Sequence, residues 1–203
     1  MKRNFSIFVL ISFLAFVLAG CANKFNPFED AAAKYSGEYI VKDMTAGGDT
    51  IYDLFDTGNT SYGLFYQYDR KASAEGISRL GTMTVSVNAQ NGSVNASLIF
   101  VMQYLSTASL PPYSIDTPVS FATDIESYVQ QFAGTVQENG EIIWSKGIFD
   151  KDEYRLHRVL LGAGTITRFD GKVMDLRFEE FPVYDYTSQK TFVIPITYHL
   201  ERE

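Results

Sequence analysis

Few residues of this chain could do chemistry. Cys21 is the only cysteine, His157 and His199 are the only histidines, and Asp56-Thr57-Gly58, after the apolar pair Leu54-Phe55, is the one Asp-Thr-Gly in the chain and the sharpest candidate for a catalytic carboxylate. Carboxylate acid–base work needs two such groups sharing a proton across a short contact, and the chain carries no second copy of the element. Zinc asks for three or four ligands at organised spacing. No HExxH or HxH pattern is present, and Arg155 and Arg158 beside His157 suit a solvated strand face. Gly162-Ala163-Gly164 lacks the third glycine and following helix of a dinucleotide loop, and there is no GxSxG. A Ser–His–Asp triad can be assembled from distant positions, but no residue pattern points to one. The expectation is a protein that is not an enzyme and holds no metal or cofactor.

Cys21 is different because of what precedes it. Lys2 and Arg3 lead into residues 5–18, an apolar run broken only by Ser6 and Ser12, and small residues then close it at Ala19 and Gly20. That is the charged, apolar and small-residue order of an export signal. The run is too short for a transmembrane helix of about 20 residues. Exported proteins usually gather cysteines for disulfides, so a lone one at the cleavage boundary is better explained as an attachment point.

Leu18-Ala19-Gly20-Cys21 resembles the lipobox of bacterial lipoproteins, in which the signal is cut before the cysteine and the cysteine is acylated. The resemblance implies that residues 1–20 are a discarded signal and that Cys21 carries a diacylglyceryl group and an amide-linked chain, because one acyl chain alone anchors only marginally. Ala22 and Asn23 lack the aspartate that marks inner-membrane retention in related lipoproteins, which favours the outer membrane. Asp56-Thr57-Gly58 similarly resembles the DTG of aspartic proteases, with Leu160-Leu161-Gly162 as a later apolar element. A single copy would require a dimer, and Asp-x-Gly is ordinary turn vocabulary.

The net charge is −7, and −9 without Lys2 and Arg3. Nucleic acid and anionic headgroups are poor partners for such a body. The chain has 13 Tyr, 16 Phe and 1 Trp in 203 residues, a composition that favours β structure in one domain. The reading divides the chain into a signal (1–20), a lipidated N-terminus and spacer (21–34) and a β-barrel domain (35–203).

Asn26, Pro27 and Glu29 followed by three alanines predict a short helix. From residue 35 onward the pattern reads as strands over 37–44, 51–55, 62–70, 80–87, 94–105, 154–161, 165–169, 173–180 and 191–200, with turns at 47–49, Asn91-Gly92, Asn139-Gly140 and Asp170-Gly171. Pro195 on the outward face of the last strand suits an edge or a bulge. Residues 106–118, with Pro111, Pro112 and Pro118, read as loop. Thr123 and Glu126 match a capping box, and Ile125, Tyr128, Val129 and Phe132 fall at helical spacing before Gly134, which predicts one amphipathic helix on the sheet.

The fold class expected is therefore all-β: a single antiparallel meander barrel or sandwich with two short helices. The order of lipobox, Gly37-Glu38-Tyr39-Ile40-Val41, the hairpin over 162–180 and a final aromatic strand resembles bacterial lipoproteins with a calycin-like, lipocalin-type barrel that bind lipid. Tyr66, Tyr68, Phe100, Tyr104, Phe178 and Tyr198 each lie in phase with the apolar positions of their own segment, which predicts an aromatic-lined interior. Several tyrosines facing one interior need partners for their hydroxyls. The function expected is binding of a lipid or other small apolar ligand there, with the membrane as partner through Cys21. The alternative is a fully packed barrel that serves as a protein-interaction module of a cell-envelope complex.

Overall fold

The computed structural model describes residues 26–48, 52–58, 63–105, 121–145, 148–149 and 164–203. Two short helices, α1 (Pro27–Tyr35) and α2 (Leu64–Ala74), accompany the strands β1 (Gly37–Ala46), β2 (Gly81–Val87), β3 (Ser93–Leu105), β4 (Phe121–Val136), β5 (Ile142–Trp144), β6 (Ile148–Phe149), β7 (Thr165–Phe169), β8 (Val173–Asp185) and β9 (Lys190–Arg202). All pair antiparallel, in the order β5-β4-β3-β2-β1-β9-β8-β7, with β6 also on β4. From β1 to β5 and from β7 to β9 chain neighbours are sheet neighbours, and the first strand pairs with the last. This is the connectivity of a meander barrel.

The barrel is nearly closed. Its two ladder edges lie at β4–β6 on one side and β7 on the other. Side chains bridge them: the Gly164 N–H donates to Gln130 Oε1 at 3.2 Å, and the Trp144 ring packs on Phe169 at 5.6 Å. Closing a sheet in this way shields the unpaired strand edges that invite aggregation.

Alternation was a sound guide for most strands. In β2, Met83, Val85 and Val87 are buried against exposed Thr84 and Ser86, and in β8 Met174, Leu176 and Phe178 point inward. Pro195 faces a bulge, since β8 skips from Phe178 to Phe181 opposite Ile196 and Ile194. A proline there costs no ladder hydrogen bond.

Three local expectations are corrected. Residues 123–134, expected as a helix, belong to strand β4, whose ladder with β3 runs from Ser93↔Thr135 to Leu105↔Phe121. Tyr128 and Phe132 fit a period of two as well as helical spacing, and the long cross-strand ladder selects the strand. Gly134 is no helix stop; it is a strand position where a Cβ would meet the Ile143 carbonyl oxygen at 2.9 Å. Of residues 62–70, expected as a strand, 64–70 lie in α2 and Gly63 is its N-cap. Leu64, Tyr68 and Ala72 are buried at every fourth position, which both periods accommodate. Residues 52–55, expected as a strand, form an unpaired irregular segment.

The helices close opposite ends of the barrel. α1 is capped as expected, with Asn26 Oδ1 accepting from the Phe28 N–H at 3.0 Å, and it docks over the lower end through Ala31 and Tyr35. Tyr39 Oη donates to the Tyr35 and Gly171 carbonyls at 2.8 and 3.2 Å, and burial pushes its phenol up to about 12. Gly171, at φ +92, lets the end of α1 approach: a Cβ would lie 2.6 Å from the Lys34 carbonyl oxygen. At the upper end, residues 52–58 and α2 form a cap.

Candidate ligand-binding site

The cap is built from buried polar side chains that each hold backbone. Gln67, buried on α2, accepts from the Leu54 N–H at 2.9 Å and donates to the Tyr52 carbonyl at 2.7 Å. Gln103, fully buried near the end of β3, donates to the Leu54 and Tyr184 carbonyls and accepts from the Tyr184 N–H at 2.9 Å. Asp53 is 1% exposed. Its carboxylate accepts from the Thr57 N–H and hydroxyl at 2.9 and 3.2 Å and from the Gly58 N–H at 2.9 Å. The Asp53 N–H in turn donates to Asp185 Oδ1 at 2.7 Å. An irregular segment cannot satisfy its own backbone, so these four side chains replace the missing ladder.

The turn they hold carries Asp56-Thr57-Gly58. Asp56 stands at φ +53, a conformation few non-glycine residues adopt. Between this turn and α2 lies a pocket of about 380 Å³ lined by Phe55, Asp56, Thr57, Tyr66, Gln67, Arg70, Lys71 and Ala74. Tyr66, Arg70 and Ala74 are one turn apart on α2, as are Gln67 and Lys71, so a single stripe of the helix faces the pocket. Lys71 Nζ is also paired with Glu75 at 2.7 Å.

The six residues expected at the ligand site part company. Tyr66 is 46% exposed and lines the pocket at the cap. Tyr68 is fully buried on the other side of α2, its Oη accepting from the Gln103 N–H at 3.2 Å, and burial pushes its phenol well up. Phe100, Phe178 and Tyr198 are fully buried in the barrel, with ring centroids 5.5 to 5.8 Å apart. Phe181 and Tyr128 extend the cluster. The side chain of Tyr104 lies outside the described residues, as do Cys21, His157, Gly162-Ala163 and the loop over 106–118. The inward aromatic face is therefore real, but its described rings touch one another, and Tyr66 belongs to a separate surface.

Two polar atoms in the barrel interior, Tyr198 Oη and Gln130 Nε2, have no hydrogen-bond partner among the described residues. Burial, with Tyr68 nearby, pushes the Tyr198 phenol far up. On the outer wall, His199 bridges two neighbouring strands, with Nδ1 2.8 Å from Asp175 Oδ1 and Nε2 3.0 Å from Thr45 Oγ1. Among the described residues no group of three His, Cys, Asp or Glu could hold a metal ion.

Sequence reading did not find Arg70, Asp53, Gln67, Gln103 or Asp185. Four of these are buried polar residues that position backbone, and an isolated Gln or Asp within an apolar run was the only signal.

Compared with protein-family models, curated proteins and solved structures, the chain matches none at a significant level.

One pH dependence follows from the cap. Burial raises the Asp185 pKa, but hydrogen bonds from Ser188, from the Asp53 N–H and from the Thr187 N–H outweigh it and hold the carboxyl below its ordinary value of 3.8. A folded-state value below the unfolded one means that the contribution is present above pH 3.8 and is lost as pH falls through the folded value. Amide exchange at Asp53 is expected to accelerate over that acid range, and Asp185→Asn is expected to exchange fast already at neutral pH. Equal protection in the variant would show that Asp185 does not hold the cap.

Proposed function

We propose that this protein is a cell-envelope lipoprotein, anchored through an acylated Cys21, whose barrel carries a site for a lipid or other small, largely apolar ligand. The observation that carries the ligand reading is the pocket of about 380 Å³ at the capped end, with aromatic side chains on both of its walls. Ligand sites are concave, mostly apolar and about 300–1,000 Å³ in volume. The anchor rests on Leu18-Ala19-Gly20-Cys21 at the end of the apolar run. The protein is read as non-enzymatic, and the outer membrane is its address in this reading.

A second reading has its own observation. Ile40, Thr82, Ile99 and Val129 lie side by side across β1, β2, β3 and β4, and Ile99 is 49% exposed. A row of this kind on a barrel wall suits an interaction module that docks on another envelope protein.

Native mass spectrometry of the full chain, released from detergent, tests the first reading. A co-purifying small molecule is expected on the wild type and is expected to be lost in Ala74→Trp, which fills the pocket. Absence of ligand in the wild type, with cross-links from position 99 to another envelope protein, would favour the second. Cys21→Ser is expected to abolish incorporation of labelled palmitate, and undiminished labelling would remove the anchor.

A further inference from the structure

We propose that the pocket between α2 and residues 52–58 takes an amphipathic organic anion, its acidic group held by Arg70 and its apolar body lying against Phe55 and Tyr66. This rests on the reading of that pocket as a ligand site and adds the chemistry of the ligand.

Arginine usage carries the argument. Five arginines fall among the described residues, and four are engaged. Arg79 pairs with Glu38 and Glu203, Arg168 with Asp170, and Arg177 with Glu179 in a two-point contact, while Arg202 donates to the Lys34 and Ser36 carbonyls. Arg70 has no ion pair or hydrogen bond among the described residues, and it is the one that lines the pocket. A guanidinium left without a carboxylate in a chain with 24 acidic residues is notable, since its flat fork of donors matches carboxylate, sulfonate and phosphate groups.

The other charged groups agree. Asp53 is committed to the turn, and Glu75 to Lys71. Asp56 lines the same pocket, yet no ion pair joins it to Arg70. With Lys71 paired to Glu75, Arg70 and Asp56 are the charges of the described lining that have no ion pair among the described residues. Tyr66 lies one turn before Arg70 on the same stripe, and Phe55 reaches from the opposite wall, so an acidic group at Arg70 would leave an aromatic or aliphatic body between two rings.

Equilibrium dialysis of the full chain in lipid nanodiscs, with empty nanodiscs as the blank, separates the outcomes. The probes are 2-naphthoate and its uncharged isostere 2-naphthamide. Wild type is expected to bind the naphthoate about tenfold more tightly than the amide. Arg70→Gln is expected to bring the two to parity, Asp56→Asn to tighten the naphthoate about twofold to threefold, and Ala74→Trp to weaken both. Equal binding of both probes by the wild type, or a naphthoate preference that survives Arg70→Gln, would overturn the anion proposal and leave the ligand site standing. Binding of neither probe, or binding insensitive to Ala74→Trp, would overturn the ligand site and the proposal with it.

Discussion

Phe178→Ala is expected to cost about 3–5 kcal/mol of folding stability, the range for deleting a buried ring that its surroundings cannot replace. Phe178 is fully buried and meets Phe100 at 5.5 Å, Tyr198 at 5.7 Å and Phe181 at 5.9 Å, so removing it takes contacts from three rings at once. Tyr198→Phe is the informative companion. Its hydroxyl has no partner among the described residues, and a buried unpaired hydroxyl is destabilising. Deleting it is expected to leave stability unchanged or raise it by about 1 kcal/mol. Urea unfolding of the three proteins decides the matter. A loss below about 1 kcal/mol for Phe178→Ala would show a loosely filled interior, and a destabilised Tyr198→Phe would show that the hydroxyl has a partner in the native protein.

Asp53→Asn is the second large effect, expected to cost about 2–3 kcal/mol. Both carboxylate oxygens accept hydrogen bonds, Oδ1 from Thr57 and Oδ2 from Gly58. An amide keeps one acceptor and turns the other into a donor, so an N–H of the substituted side chain must face an N–H of the turn. The pocket wall formed by Phe55, Asp56 and Thr57 depends on that turn, so probe binding should fall with stability. If unfolding and probe binding both match the wild type, the turn is held by other contacts.

These predictions fall on different parts of the chain, and the difference shows what was legible beforehand. The inward burial of Phe100, Phe178 and Tyr198 follows from strand alternation, because successive side chains of a strand face opposite sides whatever the partner strand is. The antiparallel barrel was legible for the same reason, together with the tight turns at Asn91-Gly92 and Asp170-Gly171; of the two short helices only the Asn26-capped one was placed correctly, the second being expected at 123–134 and found at 64–74. Local patterning failed where two periods coincide. Leu64, Tyr68 and Ala72 are spaced by four, a multiple of two that is also near one helical turn. At residues 121–136 the helical spacing was incidental.

The amino-acid sequence by itself determined the features whose causes are local: the apolar run over 5–18 that precedes Cys21, the Asn26-capped helix, the alternating strands and an acidic body with few reactive side chains. Only the tertiary structure decided that residues 121–136 are a strand, since the ladder with β3 rests on residues far away in the chain. It also decided that Tyr66 and Tyr68, two positions apart and alike in an alternating pattern, stand on opposite sides of α2. One lines a pocket with Arg70 and the other closes the aromatic interior. The pocket itself is a product of the fold. Asp53, Gln67, Gln103 and Asp185 act through backbone groups brought to them from other segments, and no spacing along the chain records which peptide a buried amide or carboxylate will meet.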